Sequence, residues 1–283
     1  MTLVRTATDA ERRQVEQANA SGRTPVVFIH GLWLLASSWA AWAQLFDEAG
    51  YAPVLPGWPD DPETVQEANA NPEVFAGKTV GRVADHLEDV VGGLERKPVI
   101  IGHSFGGLLT QILAGRGLAE VSVAVDPAPF RGVLPLPPAA LRVALVALRN
   151  PANRKRAVPL TYEEFRFGFA NAVSEQEAHE LYETYAVPAP GAPLFQAAVA
   201  NMNPWTELKV DTTSATRGPL LLTSGGKDHA VPPAMVNAAY KKQTRNHGVT
   251  EIARFPDRGH SLPIDSGWRE VADAALAFAR RFT

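Results

Sequence analysis

The chain has 283 residues, 46% of them hydrophobic and 20% charged, which fits one large domain or a core that carries an insertion. Its 27 Lys and Arg and 30 Asp and Glu leave a formal net charge of -3, so the overall charge offers no footprint for nucleic acid or anionic lipid. The absence of cysteine excludes disulfides, thiol catalysis and cysteine-ligated metals.

Residues 1–25 carry several charges and contain no apolar stretch of the kind that a signal peptide has. No run of 18 uncharged apolar residues occurs in the chain. From these two observations we expect a cytoplasmic protein that has no membrane partner.

Six short apolar runs, rich in β-branched residues, are the strand candidates. They are continuous rather than alternating, which is typical of parallel strands that are covered on both faces. The predicted strands cover Val26–His30, Ala52–Leu55, Pro98–Gly102, Val121–Val125, Leu220–Ser224 and Glu251–Phe255.

Helical patterns lie between most of these runs. Apolar residues recur at spacings of three and four from Val80 to Leu94, and again directly after the third run. Further helices are predicted over Ala7–Ala20, from Ser37 or Ser38 to Gly50, and after Trp268. The alternation predicts an α/β fold with a doubly wound, mostly parallel sheet of about six strands.

The interval from 127 to 217 breaks this alternation. It contains no convincing strand but four helical stretches, Ala139–Leu148, Tyr162–Ala172, Glu175–Tyr185 and Ala192–Met202. We interpret it as a helical cap, inserted between core parts 1–126 and 218–283, because both flanks return to one sheet. A second independent domain is the alternative. The irregular segment Pro56–Lys78 is expected to form a second rim of the active-site mouth.

The segment Gly102-His103-Ser104-Phe105-Gly106 has the pattern G-x-S-x-G and lies between a predicted strand and a predicted helix. A sharp strand-to-helix turn lifts the serine hydroxyl above the sheet, and the flanking glycines leave room for that turn. A helix N-terminus also favours the negative charge that develops in acyl transfer. The pattern therefore predicts that Ser104 is a nucleophile, whereas a glycine-rich turn at a helix start is the simpler alternative.

Four separated segments, including this elbow, resemble motifs of the α/β-hydrolase superfamily. His30-Gly31-Leu32-Trp33 resembles its oxyanion loop, Thr223–Pro232 resembles the loop that carries the acid, and Asp257–Leu262 resembles the loop that carries the histidine. The order Ser, Asp, His along the chain is also that of the superfamily. The resemblance spans about residues 26–282 and implies a serine hydrolase of this fold.

His260 is the predicted general base, because it follows the last strand and so reaches the edge where parallel strands end. Asp228 is favoured as the acid that orients it, since glycines before it let the loop curl back. Asp126, directly after the fourth strand, is the rival, with a turn cap as its simpler interpretation. His86, His179 and His247 are expected to be solvated.

The oxyanion of the reaction needs two backbone donors, which we expect to be the N–H groups of Leu32 and Phe105. Candidates for substrate binding are aromatic residues of the cap and residues beside the catalytic motifs, although most of the cap residues could instead pack the cap onto the core. These candidates are His30, Trp33, His103, Phe165, Phe169, Tyr182, Trp205 and His229.

The sequence predicts a serine hydrolase that cleaves carboxylic esters of small to medium, largely apolar substrates through an acyl-enzyme. The same residues would also serve a lactonase, an amidase, a perhydrolase or a hydroxynitrile lyase, and a ligand-binding protein without turnover is the alternative outside enzymes. We expect neither metal nor cofactor, because no H-E-x-x-H, Walker A or G-x-G-x-x-G motif occurs. A monomer and a homodimer are both compatible with the sequence.

Overall fold

The computed structural model describes residues 7–283, and six parallel strands form the sheet at its centre. The first six residues of the predicted core lie outside the described residues. The sheet strands are β1 (Pro25–Ile29), β2 (Ala52–Val54), β3 (Val99–His103), β4 (Val121–Val125), β7 (Leu220–Gly225) and β8 (Thr250–Phe255). Their spatial order is β2-β1-β3-β4-β7-β8. All six predicted strands and the parallel α/β class are confirmed.

Eleven α-helices occur in the described residues. They are α1 (Asp9–Ser21), α2 (Ala40–Glu48), α3 (Val65–Ala70), α4 (Val80–Gly92), α5 (Phe105–Gly115), α6 (Pro138–Leu148), α7 (Tyr162–Gly168), α8 (Glu175–Tyr185), α9 (Ala192–Val199), α10 (Pro233–Gln243) and α11 (Trp268–Ala279). Short 3₁₀ turns cover Ala36–Trp39, Pro72–Phe75 and Pro151–Lys155. No helix of the described chain is both long and apolar enough to cross a bilayer.

The sheet has a hydrophobic core on each face. Because side chains alternate along a strand, Val27 and Ile29 of β1 point into one core, and Val26 and Phe28 point into the other. All five β1 residues are buried, as expected for a central parallel strand. The second core also contains the aromatic cluster of the 3₁₀ turn, α2 and β1, in which Trp39 and Trp42 meet edge to face.

The N-terminal helix α1 lies beside the edge strand β2, where the Gln14 side-chain oxygen accepts a 2.7 Å hydrogen bond from the Leu55 N–H. A Thr8–Glu11 capping box begins the helix. His86 of α4 is buried against Glu11 at 3.0 Å, so the expectation of a solvated His86 was wrong. Gln14 of α1 thus satisfies one backbone N–H directly after the edge strand β2.

Between β4 and β7 lies a helical insertion that contains α6 to α9. It also contains an antiparallel pair of two-residue strands, β5 (Ala157–Val158) and β6 (Ala189–Pro190), which the sequence did not predict. Two predicted helices end earlier than expected, at Gly168 and Val199. The predicted division into core and cap agrees with this placement of helices, while its domain boundaries stay a prediction.

Candidate active site

Ser104 occupies a strained turn between β3 and α5, with φ 55° and ψ -119°. The turn depends on two glycines: a Cβ on Gly102 would lie 2.2 Å from the Gly106 oxygen, and one on Gly106 would lie 2.1 Å from the Ile29 oxygen. The Ser104 N–H donates to the Val125 carbonyl at 2.9 Å, which anchors the turn to β4. The G-x-S-x-G pattern therefore reflects close backbone contacts on both sides of the serine.

A cavity of about 250 Å³ adjoins Ser104. Both Ser104 and His260 line it, so the predicted nucleophile and base share one space. Phe169 packs edge-on against the His260 ring at 4.8 Å, and Trp33 meets Phe169 at right angles at 6.0 Å. Ser104 and His260 are 7% and 1% exposed, so both groups are largely shielded from bulk water.

His260 and Asp228 form a direct hydrogen bond. The Nδ1 of His260 lies 2.6 Å from Oδ2 of Asp228, and both side chains are buried. The other Asp228 oxygen accepts the Val231 N–H at 2.7 Å. Burial alone would raise the pKa of Asp228, but the charge of His260 and its hydrogen bond bring that pKa below its ordinary value. The Asp228 carboxylate therefore stays ionised and fixes the orientation of the His260 ring.

Asp126 lies beside this pair rather than in the place of Asp228. One of its oxygens accepts from the Thr223 hydroxyl at 2.9 Å and the other from the Gly225 N–H at 2.8 Å. Burial raises the pKa of Asp126 well above its ordinary value, and the neighbouring Asp228 charge raises that pKa further. This shift favours the protonated, neutral form of Asp126 beside Asp228, whose own pKa is lowered.

Asp126, Asp228 and His260 offer ligand atoms within 4.8 Å of one another, a set that a metal ion could use. Each of the four carboxylate oxygens, however, already accepts a hydrogen bond or faces a protonated nitrogen of this chain. Those contacts already occupy the oxygens that a metal ion would need. The expectation that no metal is needed stays a prediction.

The loop after β1 brings backbone close to the serine. A Cβ on Gly31 would lie 2.9 Å from the Ser104 Cβ and 3.0 Å from the His103 carbonyl oxygen, so only glycine fits there. The N–H groups of Leu32 and Phe105 donate no hydrogen bond within the described part of the chain. Buried N–H groups are seldom left unpaired, and two of them near a nucleophile suit an oxyanion.

A buried ionic network supports this loop. Asp61 contacts His30 Nε2 at 3.1 Å and Lys78 Nζ at 2.5 Å, and all three side chains are nearly inaccessible to solvent. Burial lowers the pKa of Lys78, and the charge of Asp61 only partly offsets that effect. The indole N–H of Trp58 donates to the His30 carbonyl at 3.3 Å. The segment Pro56–Lys78, predicted to be an irregular rim, therefore supports the loop after β1 through its contacts with His30.

The sequence matches the alpha/beta hydrolase family over residues 26–274. The chain belongs to this family. No curated protein matches the sequence.

Solved structures of similar fold include an esterase from Thermogutta terrifontis, which is 22% identical over 92% of this chain and 91% of its own, with a TM-score of 0.63. A monoacylglycerol lipase from Paleococcus ferrophilus is 18% identical over 89% of this chain and 94% of its own, with a TM-score of 0.61. A pyrethroid hydrolase from Sphingobium faniae JZ-2 is 17% identical over 91% of this chain and 97% of its own, with a TM-score of 0.65. At such identities these likenesses support the alpha/beta hydrolase fold.

The structure brings only two of the eight candidate substrate-binding residues, Trp33 and Phe169, to the cavity of this family member. Phe165 stacks behind Phe169 at 5.2 Å, and Tyr182 donates its hydroxyl to the Leu160 carbonyl. Both side chains therefore pack the insertion, as the alternative interpretation holds.

Trp205 is 87% exposed and does not line the cavity, so the structure does not support its proposed part in substrate binding there. His229 faces the Phe167 carbonyl at 2.9 Å and borders a separate open cleft. His30 belongs to the network with Asp61. His103 packs 4.5 Å from the His260 ring, and burial lowers its pKa well below the ordinary value, which leaves it neutral. None of these four residues lines the cavity.

Sequence reasoning missed most of the cavity wall, which is aliphatic rather than aromatic. Residues that line it but were not proposed include Val133, Leu134, Leu136, Ala140, Leu141, Val143, Ala144, Leu148, Leu194, Ala197 and Met235. On α6, apolar residues cover more of the helix surface than the one stripe that packing against the core would bury. This pattern could have indicated from the sequence that α6 lines the cavity. No sequence pattern indicated that Asp61 and Lys78 would form a buried ion pair.

Proposed function

We propose that the chain is a serine hydrolase that cleaves carboxylic esters of small to medium, largely apolar substrates. The observation that carries the proposal is the Ser104 turn, which faces the same cavity as a His260 held at 2.6 Å by Asp228. Membership of the alpha/beta hydrolase family supports the same chemistry.

In the proposed reaction, Ser104 Oγ attacks the ester carbonyl while Nε2 of His260 takes the hydroxyl proton. Asp228 stabilises the resulting imidazolium, and the N–H groups of Leu32 and Phe105 hold the oxyanion. His260 then returns the proton to the leaving alcohol, which gives an acyl-enzyme. Water activated by His260 releases the acid and restores Ser104.

The proposed substrate class follows from the cavity wall. Aliphatic side chains from α6 and α9 surround about 250 Å³ of space, whereas a charged acyl group would lose hydration there without a partner. An uncharged acyl or aromatic group of modest size fits both the volume and the lining.

A panel of p-nitrophenyl esters, lactones and amides, assayed with the wild type and S104A, tests the proposal. We expect ester turnover that S104A abolishes, together with stoichiometric labelling of Ser104 by a fluorophosphonate. Turnover of lactones or amides alone would assign the same residues to the alternative reactions. A protein that binds these compounds without turnover, and that takes no label on Ser104, would contradict the proposal.

A further inference from the structure

Exposed apolar side chains are concentrated around the mouth of the cavity. Of the eight large apolar residues that are exposed in the described chain, seven lie in residues 134–145 and 199–205, and only Val249 lies elsewhere. The seven are Leu134, Leu136, Leu141, Leu145, Val199, Met202 and Trp205. Such clustering is unusual, because scattered single residues are the norm on soluble proteins.

The two segments form one continuous surface. Asn201 accepts the Gly132 N–H at 2.6 Å and donates to the Val133 carbonyl at 3.1 Å, which joins the turn after α9 to the loop before α6. The turn Pro151–Lys155 packs against both α6 and α9. We call the exposed residues of 131–156 and 199–205 the mouth surface.

The mouth surface is also basic. Residues 127–161 contain six Lys and Arg and no Asp or Glu, in a chain whose formal net charge is -3. Arg149 pairs with Glu164, and Arg142 stacks on the Phe167 ring. Arg131 and the run Arg154–Arg156 are exposed and form no ion pair within the described residues. The mouth surface is therefore positively charged although the chain as a whole carries a net negative charge.

We propose that the mouth surface docks onto an anionic lipid bilayer. Exposed leucines and a tryptophan on the same insertion as unpaired cations are the combination that binds at the boundary between headgroups and acyl chains. Leu141 and Leu145 of α6 and Arg149, which caps its C-terminus in a helical conformation, follow one another at intervals of four residues, so they share one face. Self-association through this surface is less favourable, because a two-fold contact would bring the cations of both copies together.

Docking would place the mouth of the cavity against the lipid bilayer. Leu134, Leu136 and Leu141 line the cavity and are also exposed, so they connect its interior with the mouth surface. An apolar ester dissolved in the bilayer could then reach Ser104 without crossing water. This consequence rests on the proposed hydrolase function, whereas docking itself does not.

Sedimentation with vesicles tests the docking without any need for turnover, so its result is independent of the proposed function. Wild-type protein is expected to bind phosphatidylcholine vesicles that contain phosphatidylglycerol more tightly than vesicles without it, and added salt is expected to weaken that binding. Each Lys or Arg near an anionic surface contributes about fivefold, so R154Q/K155Q is expected to bind about 25-fold more weakly. The matched variant R96Q/K97Q removes two exposed cations directly before β3, at the end of the sheet where the strands begin and away from the cavity. It is expected to bind as the wild type does.

The apolar contribution is tested with W205A, which alters a side chain that is 87% exposed and so leaves the fold intact. We expect binding to be weaker by about fivefold or more, while V249A, which alters the one exposed apolar residue outside the surface, is expected to have no effect. Failure of the wild type to bind anionic vesicles at low salt would overturn the proposal, as would equal losses in the two charge variants. A dimer that W205A dissociates, without vesicle binding, would instead assign the surface to self-association.

Discussion

The carboxyl edge of the sheet and the helical insertion meet at the cavity, yet they are built in opposite ways. At the sheet edge, buried polar groups have short directed contacts, such as those of His260 with Asp228 and of Asp126 with Thr223 and Gly225. In the insertion, aliphatic side chains face the cavity without directed bonds, and several of them are exposed. Changes at the sheet edge should therefore alter kcat, whereas changes in the insertion should alter which substrate is accepted.

The largest expected effect separates the two aspartates. D228N should lower kcat for the ester by about ten-thousand-fold, because an amide no longer stabilises the protonated ring of His260 in the required orientation. D126N should cost far less, since the raised pKa of Asp126 favours its neutral form and it is Asp228 that contacts the His260 ring. Steady-state kinetics of both variants decide between them. Equal losses would show that the two carboxyls act as one unit.

The next effect concerns the loop after β1, in which we propose that the Leu32 N–H is an oxyanion donor. G31A should lower kcat by about a hundredfold or more, because the new methyl group would sit 2.9 Å from the Ser104 Cβ and displace the loop that carries the Leu32 donor. G92A is the matched control, since a Cβ on Gly92 meets no atom within 4 Å. Kinetics and circular dichroism of both variants check the prediction. A folded G31A with normal kcat would remove this loop from the mechanism.

A smaller effect should appear in the insertion. A144L narrows the cavity and should lower kcat/KM about tenfold for esters with bulky acyl groups, while acetate esters react as before. W205A should leave both classes of dissolved ester unchanged, because Trp205 does not line the cavity. A chain-length series with the two variants measures the difference. Equal losses on short and long esters would place Ala144 in the catalytic arrangement rather than in selection.

The sequence could predict the sheet and its carboxyl edge better than it could predict the insertion. The six strands and the turn at Ser104 follow from local patterns, namely continuous apolar runs and two glycines that flank a serine. The placement of His260 and Asp228 at one edge follows from parallel topology, because all strands end there.

Tertiary contacts explain what was missed. The β5–β6 pair has two residues on each strand and includes a proline, so it leaves no periodic signal. Trp205 and Phe169 are both aromatic residues of the insertion, but only packing decides that one is exposed and the other faces His260. The ion pair of Asp61 with Lys78 joins residues whose buried positions no local pattern indicates.

The smallest expected effect is a pH dependence of stability that originates at Asp126. A carboxyl whose pKa is raised in the folded chain holds its proton there, so its contribution to the free energy of unfolding is present in acid and is lost as pH rises from its ordinary value of 3.8 through the raised pKa. The lowered pKa of Asp228 has the opposite sign and acts below 3.8, outside this window.

The amide of D126N has no such proton to lose. Relative to the wild type, D126N should therefore gain free energy of unfolding as pH rises from about 5 to about 8. Urea unfolding at both pH values measures the difference. D85N, which alters a side chain that is 75% exposed, should differ from the wild type by the same amount at both pH values. If D126N behaved as D85N does, Asp126 would be ionised in the folded chain, and two buried negative charges would then have to be accommodated beside His260.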